Sequence, residues 1–453
     1  MISPIVLTLV AQASGSTLTL SLDDVLSRAE TSAGDVARAE LDVLAAETDS
    51  ARARAQILPS VTLGLDTREY FFGNQIIETR FVEAPESKRI EERDDLDLVY
   101  GPFRDQRLDS ASHPGISLVL SARQLLFDGG RFWAQVLRAD DYEDSRHHAL
   151  RAAKNNARLE ALRRFYGLAR AKEALTVAEA QVRLAEENRT RSIATGKDLA
   201  FAERDVASDQ VRLARARYSV RAARRSLSSF LALDPETPLE VEVAARVSTA
   251  SVAPRRPPAQ RLLTLALDRR PEILASRAII EYLARTADME RGAHWPTVAL
   301  TANYSRFSRR PDRVLADPTT NYTANAGLSF SFPVYSGGDV IARIDRAEIE
   351  LARVRRQHED LVRDVRLEVL DRCERVELLA NVLRLARTEA AAAELVMKAA
   401  QSGYVAGSAS ATEERDAGLR WVEARRSVIE SRYDLEVGLA ELARATGGAL
   451  PQD

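Results

Sequence analysis

Residues 58–63 read Leu-Pro-Ser-Val-Thr-Leu, and residues 295–300 read Trp-Pro-Thr-Val-Ala-Leu. Downstream of the first lies Leu125-Leu126-Phe127-Asp128-Gly129-Gly130-Arg131, and downstream of the second lies Phe332-Pro333-Val334-Tyr335-Ser336-Gly337-Gly338-Asp339. The order is the same both times, so the chain is an internal duplication. A third landmark agrees. Gly196 in Ala194-Thr195-Gly196 matches Gly407 in Val405-Ala406-Gly407, 211 positions on, and Gly129 and Gly337 stand 208 apart. Only one interval differs: Pro59 to Gly129 spans 70 positions, whereas Pro296 to Gly337 spans 41. The extra residues fall in the charged stretch from Ile77 to Ser110, which is expected to form an exposed loop.

Each half reads helix, strand, loop, strand, very long helix, turn, helix. In the first repeat, 14–247, a helix near 23–56 precedes strands at 59–70 and 112–127, a long helix 131–194, a tip 194–199 and a helix 199–232. A Pro-rich linker, 248–258, joins it to the second repeat, 259–449. There a helix near 260–292 precedes strands 296–308 and 321–335, a long helix 339–402, a tip 405–410 and a helix 411–446. The first helix of each half stops before Pro, because the preceding residue resists helical angles. Arg131 to Ala194 contains no Pro and one Gly, and Val340 to Ser402 contains neither. At about 1.5 Å per residue each long helix reaches about 95 Å.

The strand segments alternate. Val61, Leu63 and Leu65 share one face, as do Ile116, Leu118, Leu120 and Ala122, then Val298, Leu300, Ala302 and Tyr304, then Tyr322, Ala324, Ala326, Leu328, Phe330 and Phe332. Small and polar residues occupy the other face. Runs of about 9–12 residues match a tilted strand crossing a bilayer, with Tyr and Phe as anchors near the ends. Four strands cannot close a barrel, since about eight is the practical minimum, so several copies must contribute.

Composition removes other classes. Lys+Arg 64 against Asp+Glu 67 gives a net charge of -3, which argues against nucleic-acid binding. The single cysteine, Cys373, excludes an internal disulfide and any multi-cysteine metal site, and it reads as a packed thiol. The five histidines, His113, His147, His148, His294 and His358, offer no chelating pair of imidazoles, so no metal or other cofactor is expected. No nucleophile, base and orienting group fall together and no phosphate-binding Gly-rich motif follows a strand, so the chain is not expected to be an enzyme. No apolar run reaches the about 18 residues of a membrane-spanning helix. The apolar run from Ile5 to Val10, followed by Ala11-Gln12-Ala13, reads as a signal peptide over 1–13.

The Leu-Pro and Trp-Pro strand starts, the Leu126-Phe127-Asp128-Gly129-Gly130-Arg131 and Pro333-Val334-Tyr335-Ser336-Gly337-Gly338 strand ends and the Gly-centred tips together resemble the TolC family of outer-membrane efflux proteins, over nearly the whole chain. The resemblance implies a mainly α fold with a small β part: a trimeric channel-tunnel in which four strands per chain contribute to a shared twelve-stranded transmembrane barrel above a long α-helical coiled-coil barrel. It implies a passive homotrimer, embedded in outer-membrane lipid and reaching into the periplasm of a Gram-negative-type bacterium. Such a trimer serves efflux or type I secretion together with an inner-membrane pump and a periplasmic adaptor (membrane fusion) protein. The adaptor would dock at the tips, here Thr195, Gly196 and Lys197 in the first and Ala406, Gly407 and Ser408 in the second. Gly129, Gly130, Gly337 and Gly338 are the strand–helix turns, where angles that only Gly adopts cheaply are needed.

Glu413 and Asp416, three residues apart on a helix, would form stacked acidic rings at the pore constriction, against the simpler reading of a solvated helix face. In the best-known member of the family a Tyr and an Arg of the second hairpin bond an acidic residue of the first. Tyr404 matches that Tyr, but Ala409 stands at the Arg position and Ala202 at the acidic one, so either the lock differs, through Asp198, Glu203 or Asp205, or the resting state is leakier. A non-inserted periplasmic coiled-coil adaptor or scaffold remains the alternative.

Overall fold

The computed structural model describes residues 18–72, 75–79, 104–108, 111–191, 196–242, 259–308 and 322–448. The signal peptide, the linker and Thr195 lie outside them. The elements run β1 (Leu18–Leu20), α1 (Leu22–Ser32), α2 (Gly34–Ala55), β2 (Ser60–Phe72), β3 (Gln75–Thr79), β4 (Arg104–Leu108), β5 (Ala111–Phe127), α3 (Arg131–Arg191), α4 (Gly196–Phe230) and β6 (Leu239–Val241). They continue with α5 (Ala259–Arg269), α6 (Pro271–Arg291), β7 (Thr297–Ser308), β8 (Tyr322–Ser331), α7 (Asp339–Val405) and α8 (Ala411–Ala445). The chain is mainly helical.

The residues form two compact units. One comprises 1–50, 137–287 and 345–453, and the other 51–136 and 288–344. The first is helical, apart from a short parallel pair of β1 and β6. Its core repeats the duplication seen in the sequence. Val25 and Ala29 of α1 are fully buried, and so are Leu262 and Ala266 of α5, each 237 positions later. Ala157, Ala161, Phe165 and Leu168 of α3 are buried, and 208 positions on so are Val365, Val369, Cys373 and Val376 of α7. Cys373 is a packed thiol in this second cluster.

Four differences from the sequence expectations have local causes. The helix expected over 23–56 is two, because Ala33 is extended (φ -64, ψ 128) between α1 and α2. Its counterpart over 260–292 breaks at the equivalent place, before Pro271, which begins α6 where its missing N–H costs nothing. The stretch from Ile77 to Ser110 is not wholly loop, since β3 and β4 pair antiparallel from Gln75↔Leu108 to Thr79↔Arg104. β8 stops at Ser331, short of the expected 335, because Pro333 has no N–H to give to a ladder.

At the break before Pro271 the charge is buried. Arg270, 5% exposed, lies 3.2 Å from Glu272 and 2.6 Å from Glu368. Arg444 of α8 contacts the same two carboxylates, Glu272 at 3.5 Å and Glu368 at 2.9 Å. Two cations face two anions there, so α6, α7 and α8 are tied without an unpaired buried charge. In the other half of this unit Tyr433 donates to Glu173 at 2.8 Å, and burial pushes its phenol up to about 12.

Candidate functional site: strand face, glycine turns and hairpin tip

In the second unit the sheet order is β2-β5-β7-β8, all antiparallel. The register aligns the alternating residues in rows across one face: Val61–Ala122–Ala302–Ala326 and Leu63–Leu120–Tyr304–Ala324 are apolar, and Leu65–Leu118–Arg306–Tyr322 is interrupted by the buried Arg306. Leu300 continues the face beside Leu328, and Val298 beside Phe330. Leu63, Leu65, Leu328 and Phe330 are 64–69% exposed, so this apolar face is uncovered. The opposite face carries Thr62, Ser121, Asn303 and Asn325 in one row, with the Asn303 amide donating to Asn325 at 3.2 Å. Among the described residues β2 and β8 each pair along one side only, leaving two open edges. At the strand–helix end Leu58, Phe127, Trp133, Trp295 and Tyr335 are all exposed.

The chain leaves the sheet through the glycine pairs. Gly129 and Gly130 have φ of 74° and 80°, and Gly337 and Gly338 have 63° and 84°, angles that L side chains avoid. Gly129 is constrained twice, because a Cβ there would lie 2.4 Å from the Gly292 carbonyl oxygen and 2.5 Å from the Trp295 Cβ. Gly337 has open space around it. The duplicated motif therefore carries different packing loads in its two copies.

The second hairpin tip is closed by hydrogen bonds. Ser408 N–H donates to the Gly403 carbonyl at 2.8 Å and Gly407 N–H to that of Tyr404 at 3.0 Å, a Schellman stop with Gly407 at φ 74°. Ser410 then caps α8. Its hydroxyl accepts the Glu413 N–H at 3.2 Å, while the Glu413 carboxylate accepts the Ser410 N–H at 2.8 Å and its hydroxyl at 3.1 Å. Those two bonds hold the Glu413 carboxyl below its ordinary range. Glu413 thus serves the helix end, and Asp416 is exposed with no ion pair among the described residues. Ala406 N–H closes the last turn of α7 onto Ser402 at 3.0 Å. Tyr404 is partly exposed on that turn, and its hydroxyl makes no hydrogen bond among the described residues. In the first tip, Gly196 and Lys197 open α4.

Near the tips, an ion pair crosses between the hairpins. Arg415 of α8 lies 3.1 Å from Asp205 of α4, and Arg204 lies 2.9 Å from the other oxygen of the same carboxylate. Of Asp198, Glu203 and Asp205, Asp205 is the one the described side chains bring to the second hairpin. Sequence reading had no reason to choose Arg415, since its partner stands 210 positions away. A signal does exist, however: Glu203-Arg204-Asp205 recurs at the repeat offset as Glu414-Arg415-Asp416. The Ser410–Glu413 cap was also legible, as the Ser-x-x-Glu signature.

Comparison with known proteins agrees with this architecture. Residues 262–448 match the family model described as Outer membrane efflux protein. The chain is 23% identical over 338 residues to the outer membrane efflux protein BepC of Brucella suis, covering 72% of this chain and 71% of that one. It is 24% identical to the outer membrane protein TolC of Escherichia coli over 43% of this chain and 41% of TolC, so that match spans under half of TolC's length. The fold is that of the open-state MtrE outer membrane channel of Neisseria gonorrhoeae, with a TM-score of 0.74 at 17% identity, covering 94% of this chain and 89% of MtrE. The chain is thus similar to outer-membrane efflux proteins in sequence over residues 262–448, and to solved outer-membrane channels in fold over most of its length.

Proposed function

We propose that the chain is the outer-membrane exit duct of a tripartite efflux or type I secretion system: a passive homotrimer that crosses the outer membrane and extends into the periplasm. One observation carries this. A four-stranded antiparallel sheet with two open edges and an uncovered apolar face is stable neither in water nor alone in lipid, and joining edges with further copies satisfies every backbone group. Three copies would supply twelve strands. The helices support the same reading: Leu367, Leu378, Val382 and Leu385 on α7 are exposed at helical spacing and suit packing against another copy. As a duct the chain needs no catalytic group, and the pump supplies the energy.

The tips, Thr195 to Lys197 and Ala406 to Ser408, are the proposed adaptor docking points. Asp416, with Glu413 one turn away, is the proposed acidic ring. The lock is proposed to be Arg415–Asp205 in place of a bond through Tyr404. By the repeat, Arg204 is to Asp416 of a neighbouring copy what Arg415 is to Asp205, which would close a ring of pairs around three chains. Each partly exposed pair contributes about 0.2–1 kcal/mol, so removing three shifts the closed–open balance by roughly threefold to 150-fold. Arg415→Ala and Asp205→Asn are expected to raise conductance in planar lipid bilayers, and unchanged conductance would remove the lock.

The assembly itself is tested by light scattering of detergent-extracted protein from an outer-membrane fraction, corrected for bound detergent. The expected mass is about 150 kDa, three chains of 50.0 kDa. A soluble monomer or dimer in the periplasmic fraction would leave the adaptor or scaffold reading instead.

A further inference from the structure

α2 and α3 meet along a polar seam within the helical unit. Glu40 faces Lys154 at 3.4 Å, and the Ser50 hydroxyl donates to Asp140 at 2.7 Å. Between these rungs the matching fails. Glu47 of α2 meets Glu143 and His147 of α3, and the three ligand atoms all lie within 4.8 Å of one another. Among the described residues neither Glu47 nor Glu143 pairs with a Lys or Arg. The nearest relief is the imidazole, with His147 Nε2 3.8 Å from Glu143 Oε1. This rung gathers two carboxylates, whereas each neighbouring rung holds one, met by an ammonium or a hydroxyl.

We propose that Glu47, Glu143 and His147 bind a first-row divalent cation of the zinc class, which fastens α2 to α3. The donor set is one imidazole nitrogen and two carboxylate oxygens, the ligands such ions take with water completing the shell. Glu143 and His147 stand four apart on one helix and so face the same way. In a tetrahedral shell with bonds of about 2.0–2.2 Å, neighbouring donors lie roughly 3.3–3.6 Å apart, so donors now 3.8 Å apart in one pair and within 4.8 Å in all close by side-chain rotation. The ion supplies the positive charge that the seam lacks at this rung. The set escaped sequence reading because histidine spacing was the only criterion there, and the third ligand stands on another helix, 96 positions before Glu143.

The test uses the full chain, purified in detergent, stripped with EDTA and titrated with ZnCl2 by calorimetry. The expected result is one Zn²⁺ per chain, an upward shift of thermal melting with added zinc, and a zinc-edge absorption spectrum with one imidazole in an N/O shell. Glu47→Gln, on an exposed residue that leaves packing intact, should weaken binding at least tenfold. Glu47→Gln with His147→Ala should abolish both the binding and the melting shift, while His294→Ala, remote in sequence and outside the cluster, changes neither. No binding by the unaltered chain, or equal binding by the double variant, would overturn the proposal.

Discussion

Ala302→Arg is expected to abolish recovery of trimer from the outer membrane, while Thr301→Arg, one residue earlier, leaves it largely intact. Ala302 sits at mid-strand in the row Val61–Ala122–Ala302–Ala326 on the uncovered apolar face, and Thr301 is on the opposite face. A lipid-facing Arg near the bilayer midplane costs about 2–4 kcal/mol. Three copies in one barrel make roughly 6–12 kcal/mol, the size of a whole domain's stability. A lumen-facing Arg stays in water. Leu118→Asp and Leu300→Asp should act as Ala302→Arg does, with smaller effect because acids cost less than bases at that depth. The measurement is the amount of detergent-extracted trimer relative to total exported protein. Equal recovery of the Ala302 and Thr301 variants would mean that neither face meets lipid, and the scaffold reading would take over.

Gly129→Ala should destabilise the chain by about 3–5 kcal/mol, against about 1–2 kcal/mol for Gly337→Ala. Both positions have positive φ, so the backbone penalty is shared. Only at Gly129 does the new methyl overlap a backbone carbonyl, that of Gly292, at 2.4 Å. Neither that carbonyl nor the Trp295 Cβ is the free end of a flexible side chain, so the turn itself must shift. Urea or thermal unfolding of the two variants reads the difference directly. Matching losses would show that the strand–helix junctions depend on dihedral angle alone.

Much of this protein follows from local residue order. The repeat, the four alternating strands, the glycine turns and the proline-bounded helices are set by neighbours within a few positions: period-two patterning, the angles open to Gly, the missing N–H of Pro. Tertiary structure decided what local order does not encode. Gly129 and Gly337 look alike in sequence, but only the first is pressed against another segment, because the Gly292–Trp295 turn packs on it. Asp205, rather than Glu203, faces Arg415, because pairing of the hairpins depends on how α4 and α8 pack. Glu47, Glu143 and His147 converge only where two helices cross the right residues. Backbone chemistry acts over a handful of bonds and so is legible along the chain, whereas charge pairing and ligation act through space, and only the packed chain selects the partners.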